Sequence, residues 1–198
     1  MPDGRPGRNR SEAAWRAILA ATRDELAAQG YDRLSIDRIA TAAGVGKQTV
    51  YRWYRSKSAL VAECILEGYV ITPQIAVADT GDVRHDIRAW MQDFADGSRT
   101  VEGASLIRAG TAAAAEDDEV AARYQDAVAK VTQDVLASRL RRGVGLGQLP
   151  DHLVLETIAE AIVGALLYRI LARREITPTF LDELIEVTLP TWPASRVF

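Results

Sequence analysis

The stretch from Ser35 to Lys57, SIDRIATAAGVGKQTVYRWYRSK, constrains the fold more than any other part of the chain. Ser35 is placed to cap a short helix whose apolar face is Ile36, Ile39 and Ala40. Ala43-Gly44-Val45-Gly46 then interrupts the pattern. Gly44 can take the positive φ of a sharp helix-to-helix turn, and Val45 can plug the core beneath it. A second short helix is predicted from Lys47 to about Tyr54. Val50 and Tyr54 face inward at i, i+4 spacing, which turns Lys47, Gln48, Thr49, Tyr51, Arg52 and Trp53 outward. That outer face is basic, hydrogen-bonding and aromatic, and carries no acid. It suits phosphates and base edges.

Two short helices joined by a Gly-bearing turn are a helix-turn-helix. The sequence Ala43-Gly44-Val45, followed by Thr49-x-Tyr51-x-x-Tyr54-x-x-Lys57-x-x-Leu60, resembles the DNA-binding domain of the tetracycline-repressor (TetR) family of transcriptional regulators. The resemblance covers about residues 11–60; the remainder is similar in length and helical character. It implies an all-α protein with an N-terminal three-helix DNA-binding domain and a C-terminal ligand-binding and dimerisation domain. It further implies a homodimer on a palindromic operator in double-stranded DNA, its recognition helices about 34–36 Å apart. By the family motif Thr49 and Tyr51 position phosphates and Lys57 contacts a phosphate. Lys47 and Gln48 meet base edges, as donors to guanine and partners of adenine. Arg52 and Arg55 add backbone charge, and Ser35 joins the DNA-facing set. Trp53 stands where many members carry histidine, so it either stacks on a sugar or thymine methyl or packs. Asp37 is expected to serve its helix dipole rather than DNA.

Charge supports one basic end. Residues 1–60 hold 11 Lys/Arg and 6 Asp/Glu, a net +5, against 13 and 21, a net −8, in the rest. Residues 1–10, with Arg5, Arg8 and Arg10, read as a disordered basic arm, either reaching a minor groove or a solvated tail. A helix is expected from Ser11 to Gln29 with Trp15, Ile18, Leu19 and Leu26 on its core face and Gly30 as C-cap. Ser56 should cap a linking helix over residues 57–70, in which Cys64 is a buried structural thiol. The domain boundaries expected are thus an arm at 1–10, a helix-turn-helix domain at 11–56 and an effector and dimerisation domain at 57–198.

In that second domain Asp82 should cap a helix ending at Gly97, and a less regular one should follow around Val101 to Ala115. Glu116-Asp117-Asp118-Glu119 opens a long helix and opposes its dipole without need of a metal. Gly143 to Pro150 is a connector: no strand precedes it and no GK[ST] follows. A helix from Asp151 to Arg173 is apolar nearly all round and so needs burial on two sides. With the last helix, from Pro178, it is expected to form a four-helix bundle across a two-fold axis. The interface residues expected are Ile158, Ala161, Ile162, Ala165, Leu166, Phe180, Leu181 and Leu184.

The family resemblance also implies a small effector held in the acidic body. Tyr69, Trp90, Met91, Phe94, Leu106, Ile107, Tyr124 and Tyr168 are the lining candidates, with Arg88 or Arg108 for an anionic group, and they suit an apolar or aromatic molecule. One cysteine and two distant histidines, His85 and His152, assemble neither a disulfide, a metal site nor catalytic machinery, so no cofactor and no enzyme activity are expected. No apolar run is long enough to span a bilayer and no secretory leader is present, so no membrane partner and a cytoplasmic location are expected. The competing reading is a DNA-binding architectural or cell-cycle protein of the same fold without an effector. A well-formed apolar cavity would count against it.

Overall fold

The computed structural model describes the backbone of residues 6–69 and 76–190, and the side chains of 12–69, 76–100 and 103–190. Among these residues there are helices and no strands. In chain order they are α1 (Pro6–Gln29), α2 (Ile36–Ala42), α3 (Lys47–Trp53), α4 (Lys57–Leu66), α5 (Val83–Arg99), α6 (Val101–Glu116), α7 (Asp118–Tyr124), a π-helical segment (Gln125–Ala129), α8 (Lys130–Gly145), α9 (Leu155–Leu171) and α10 (Pro178–Thr188). The chain divides into two compact units, residues 1–72 with 101–124 and residues 73–100 with 125–198. By packing, α6 and α7 of the segment expected at 57–198 group with the N-terminal helices.

In the first unit α1, α2 and α4 close on a core of Ile18, Leu19, Leu26, Leu34, Ile39, Leu60, Val61 and Cys64. The Cys64 thiol donates to the Leu19 carbonyl at 3.2 Å, and burial pushes its pKa up to about 12, as suits an inert structural thiol. Helix α6 packs on α4 through Leu106, Ala109 and Ala113. Helix α7 packs on both, its Tyr124 ring directly over Gly110 and its Arg123 paired with Glu63 at 3.1 Å and Glu67 at 3.2 Å. In the second unit α5 packs on α8 and α10, and α9 packs on α8 and α10, around Ile87, Trp90, Met91, Leu136, Leu140, Ile162, Leu166 and Leu181. A buried pair lies here, with Asp86 accepting from Arg139 Nε at 2.7 Å and from the Thr80 hydroxyl at 2.6 Å.

Several boundaries differ from expectation for local reasons. Helix α1 begins at Pro6, a residue suited to a first helical turn, so of the expected arm only residues 1–5 lie outside the described residues. Gly68 at φ +71° ends α4 before Tyr69. Helix α5 runs through Gly97 to Arg99. The long helix expected after Glu116 is three segments. Asp117 caps α7, its Oδ1 accepting from Glu119 and Val120 N–H at 3.0 and 3.2 Å, and the π-helical segment separates α7 from α8. No helix among the described residues is long and apolar enough to cross a membrane.

Candidate nucleic-acid interface

The helix-turn-helix is built by caps and one glycine. Ser35 caps α2, its Oγ accepting from Arg38 N–H at 3.5 Å. At the other end Gly44 sits at φ +66°, donating to Thr41 O at 3.2 Å, while Val45 N–H reaches Ala40 O at 3.0 Å. These two bonds are the Schellman closure that turns the chain sharply into α3. Val50 and Tyr54 face the core as the i, i+4 spacing requires. Lys47, Gln48, Tyr51 and Arg52 are exposed on the opposite side, and Thr49 and Trp53 lie half-buried at its edges. Beyond α3, Arg55 and Lys57 are exposed and Ser56 caps α4, accepting from Ala59 N–H at 3.1 Å. Lys57 is thereby presented at the positive end of a helix dipole, where an anion is favoured twice over.

Three carboxylates that sequence spacing did not associate with this surface hold its parts in place. Asp37 Oδ1 pairs with Lys47 Nζ at 2.6 Å, and the same ammonium lies 5.8 Å from the centroid of the Tyr51 ring. The hydrogen bond and charge of Asp37 raise the Lys47 pKa. Asp37 therefore does more than serve its own helix dipole. Glu25 on α1 pairs with Arg38, whose guanidinium also donates to the Arg33 carbonyl at 2.7 Å, tying α2 to α1. Glu116, the last residue of α6, accepts from Ser56 Oγ at 2.9 Å and Ser58 Oγ at 3.2 Å, at the start of the helix that carries Lys57. No local pattern marks contacts between residues 58 and 60 positions apart.

Residues 18–64 match the family model for bacterial regulatory proteins of the tetR family, and residues 77–188 match the tetracyclin repressor-like C-terminal domain. The chain belongs to the TetR family. It is 29% identical over 180 residues to the HTH-type transcriptional regulator YdeS of Bacillus subtilis (strain 168), covering 90% of this chain and 89% of that one. It is 28% identical over 190 residues to the DNA-binding transcriptional repressor TetR of Mycobacteroides abscessus, covering 91% and 94%. In three dimensions it resembles the TetR family transcription regulator SCO0332, with a TM-score of 0.63, 28% identity and coverage of 91% and 99%. The fold alone is shared with RolR, crystallised with resorcinol, at a TM-score of 0.63, 12% identity and 96% of each chain. The protein is a DNA-binding transcriptional regulator of the helix-turn-helix type, and not an enzyme.

The expected effector residues of this TetR-family chain fall in both units. Tyr69, Leu106, Ile107 and Tyr124 belong to the first unit, and Trp90, Met91, Phe94 and Tyr168 to the second. Tyr69 meets the Trp15 ring edge-on at 6.5 Å; Trp90 stacks on Phe94 at 5.5 Å; Met91 and Leu106 are core; Tyr168 is 63% exposed. Two open surface grooves of the second unit, of about 480 and 280 Å³, are lined by none of the eight. Arg88 lines the smaller, where it pairs with Asp182 at 2.6 Å, and Arg108 lies 3.9 Å from Asp32 in the first unit. The expected dimer residues divide as well. Ile162, Leu166 and Leu181 are fully buried in their own unit and have no surface to offer a partner. Ala161 is exposed, and Ile158, Ala165, Leu184 and Phe180 are half-buried, Phe180 beneath the Arg169 guanidinium at 3.8 Å.

Proposed function

We propose that the protein acts as a homodimeric repressor on a palindromic operator, with α3 of each subunit in the major groove. The observation that carries the reading is the outward face of α3: Lys47, Gln48, Tyr51 and Arg52 stand exposed beside Lys57 at a capped helix start, while Val50 and Tyr54 anchor the other side. Thr49, Tyr51, Arg52, Arg55 and Lys57 position the phosphate backbone. Lys47 and Gln48 reach base edges, Trp53 borders the contact, and Ser35 sets the entry of α2. The Mycobacteroides abscessus relative is a transcriptional repressor, which is in keeping with that role here. Dimerisation uses Val154, the N-cap of α9, and the outward stripe that continues along the helix at Ile158, Ala161, Ala165, Tyr168 and Leu171, every three to four residues, with Leu184 and Val187 of α10. Release by a small apolar or aromatic effector is in keeping with the resorcinol held by RolR, a protein of this fold.

The test is selection of bound duplexes from a random pool at fixed salt, then titration of the enriched duplex. A palindromic duplex bound by a protein that sediments as a dimer is expected, with Thr49→Ala and Lys57→Ala each weakening binding. Enrichment of a non-palindromic site by a monomer would overturn the reading. A second reading, the same DNA-binding head without an effector, is favoured by the two surface grooves of the second unit, neither of which is lined by any of the eight effector candidates. Titration of the bound complex with phenolic compounds separates the two: release supports the effector, and indifference across the series supports the second reading.

A further inference from the structure

Asp37 is the second residue of α2 and Lys47 the first of α3, and the turn between them brings the carboxylate to 2.6 Å from the ammonium. Both side chains are more than half exposed, so the pair adds little to the stability of the fold. It is placed instead on the surface assigned to DNA. We propose that Asp37 is a specificity-determining residue, holding Lys47 for a neutral base edge and withholding it from phosphate. The proposal rests on the reading of α3 as the recognition helix.

An ammonium has three N–H donors. With one directed to Asp37, two remain, the number that guanine N7 and O6 accept along a major-groove edge. The Tyr51 ring at 5.8 Å gives the ammonium a second fixed neighbour, which narrows the directions those donors take. A base edge carries no net charge, so the carboxylate beside Lys47 opposes it far less than it opposes a phosphate. A phosphate is an anion, and Asp37 both repels it and cancels the charge that would attract it. Lys47 thus contributes little to sequence-independent attraction while keeping its hydrogen-bonding capacity. Asp37 touches no base in this scheme; it acts through Lys47.

The test uses the full chain, the duplex enriched from the random pool, and a shuffled duplex of the same length and composition, each titrated across a series of salt concentrations. Asp37→Asn should strengthen binding to the shuffled duplex and steepen its log K against log [salt] slope by about 0.9 for each Lys47 that reaches a phosphate. The ratio of enriched to shuffled affinity should fall about tenfold, the scale of one well-made base contact. In a Lys47→Met background Asp37→Asn should leave that ratio unchanged, because Asp37 acts on the ratio only through Lys47; a merely repulsive charge would leave the ratio unchanged with Lys47 present as well. Equal gains on both duplexes, or the same loss of ratio with Met at position 47, overturn the proposal and leave the operator reading standing. Absence of any enriched duplex overturns both together.

Discussion

Gly143 lies in α8 against the start of α5, and the closeness of that approach is open to a direct test. A Cβ added at Gly143 would stand 2.9 Å from Val83 Cβ and Cγ2 and 3.0 Å from Cγ1. Ordinary carbon contacts need roughly half an ångström more. Val83 cannot turn aside: it is β-branched, so every rotamer leaves Cβ in place, it is buried, and its N–H is held by Gln148 Oε1 at 3.0 Å. The two helices must therefore separate, and three contacts this short put the displacement in the upper part of the range for packed cores, about 2–3 kcal/mol. Ala gains up to about 1 kcal/mol over Gly in a helix, so a net loss of about 1–2 kcal/mol is expected for Gly143→Ala. At about 2–4 °C per kcal/mol for a chain of this size, Tm falls by about 2–8 °C. Gly97 in α5 is the control, because a Cβ there meets nothing within 4 Å. Gly97→Ala should raise stability by about 1 kcal/mol. Urea unfolding followed by far-ultraviolet circular dichroism reads both variants, with an unchanged m value as the condition for comparison. A Gly143→Ala protein as stable as the parent would refute the close approach of α5 and α8.

Gly44→Ala places an L-residue at φ +66° with no atom within 4 Å of its Cβ, so the cost is torsional; after the gain from a stiffer unfolded chain it should be about 1 kcal/mol, read by the same urea titration. Burial alone would raise the Asp86 pKa, but hydrogen bonds from Thr80 and Arg139 outweigh it and hold the carboxyl below its ordinary value. A depressed folded pKa gives stability that is present above the unfolded value of about 3.9 and is lost as pH falls through the folded one. Asp86→Asn should therefore cost about 3 kcal/mol at pH 7, by leaving the buried Arg139 with only the longer pairing to Asp79 at 3.7 Å, and flatten the loss of stability below pH 4; equal costs at pH 7 and pH 3 would refute this. Tyr168→Glu should shift the sedimenting species from dimer to monomer with the helical spectrum intact, whereas Leu166→Ala, fully buried in α9, should cost about 2–5 kcal/mol of folding stability.

What the sequence made legible is what depends on neighbours a few residues away. The caps Ser35, Ser56 and Asp82, the turn at Gly44 and the inward pair Val50 and Tyr54 all stand where spacing puts them. Each is settled by a side chain reaching its own backbone or by helical periodicity. The pairs that organise the same surface were invisible for the converse reason. Asp37 meets Lys47 only because Gly44 sets the angle between two helices, and Glu116 meets Ser56 and Ser58 only because α6 packs on α4. The acidic run Glu116 to Glu119 showed the limit most clearly. Treated as one helix start, it serves two ends: Glu116 closes α6 on the serines, and Asp117 caps α7.

Helix α9 shows why an apolar sequence carries less information than an amphipathic one. With hydrophobic residues nearly all round, its sequence states that two sides need cover but gives no phase to say which side meets which neighbour. The phase is supplied by packing. Leu155, Ala159, Ile162, Val163, Leu166 and Ile170 turn inward, and Ala161, Tyr168 and Leu171 are left exposed. The residues chosen for the dimer stripe therefore came from both faces. Tyr168, assigned to an effector pocket for its ring, stands 63% exposed in line with Val154, itself 63% exposed. On α10 the same logic turns Leu181 and Ile185 inward and leaves Val187 82% exposed. Exposed apolar side chains on two helices that pack together form a surface whose burial by a second copy would complete the cover that the sequence of α9 demands. A dimer built on these helices would have to use the side chains still facing water, because Ile162, Leu166 and Leu181 are core.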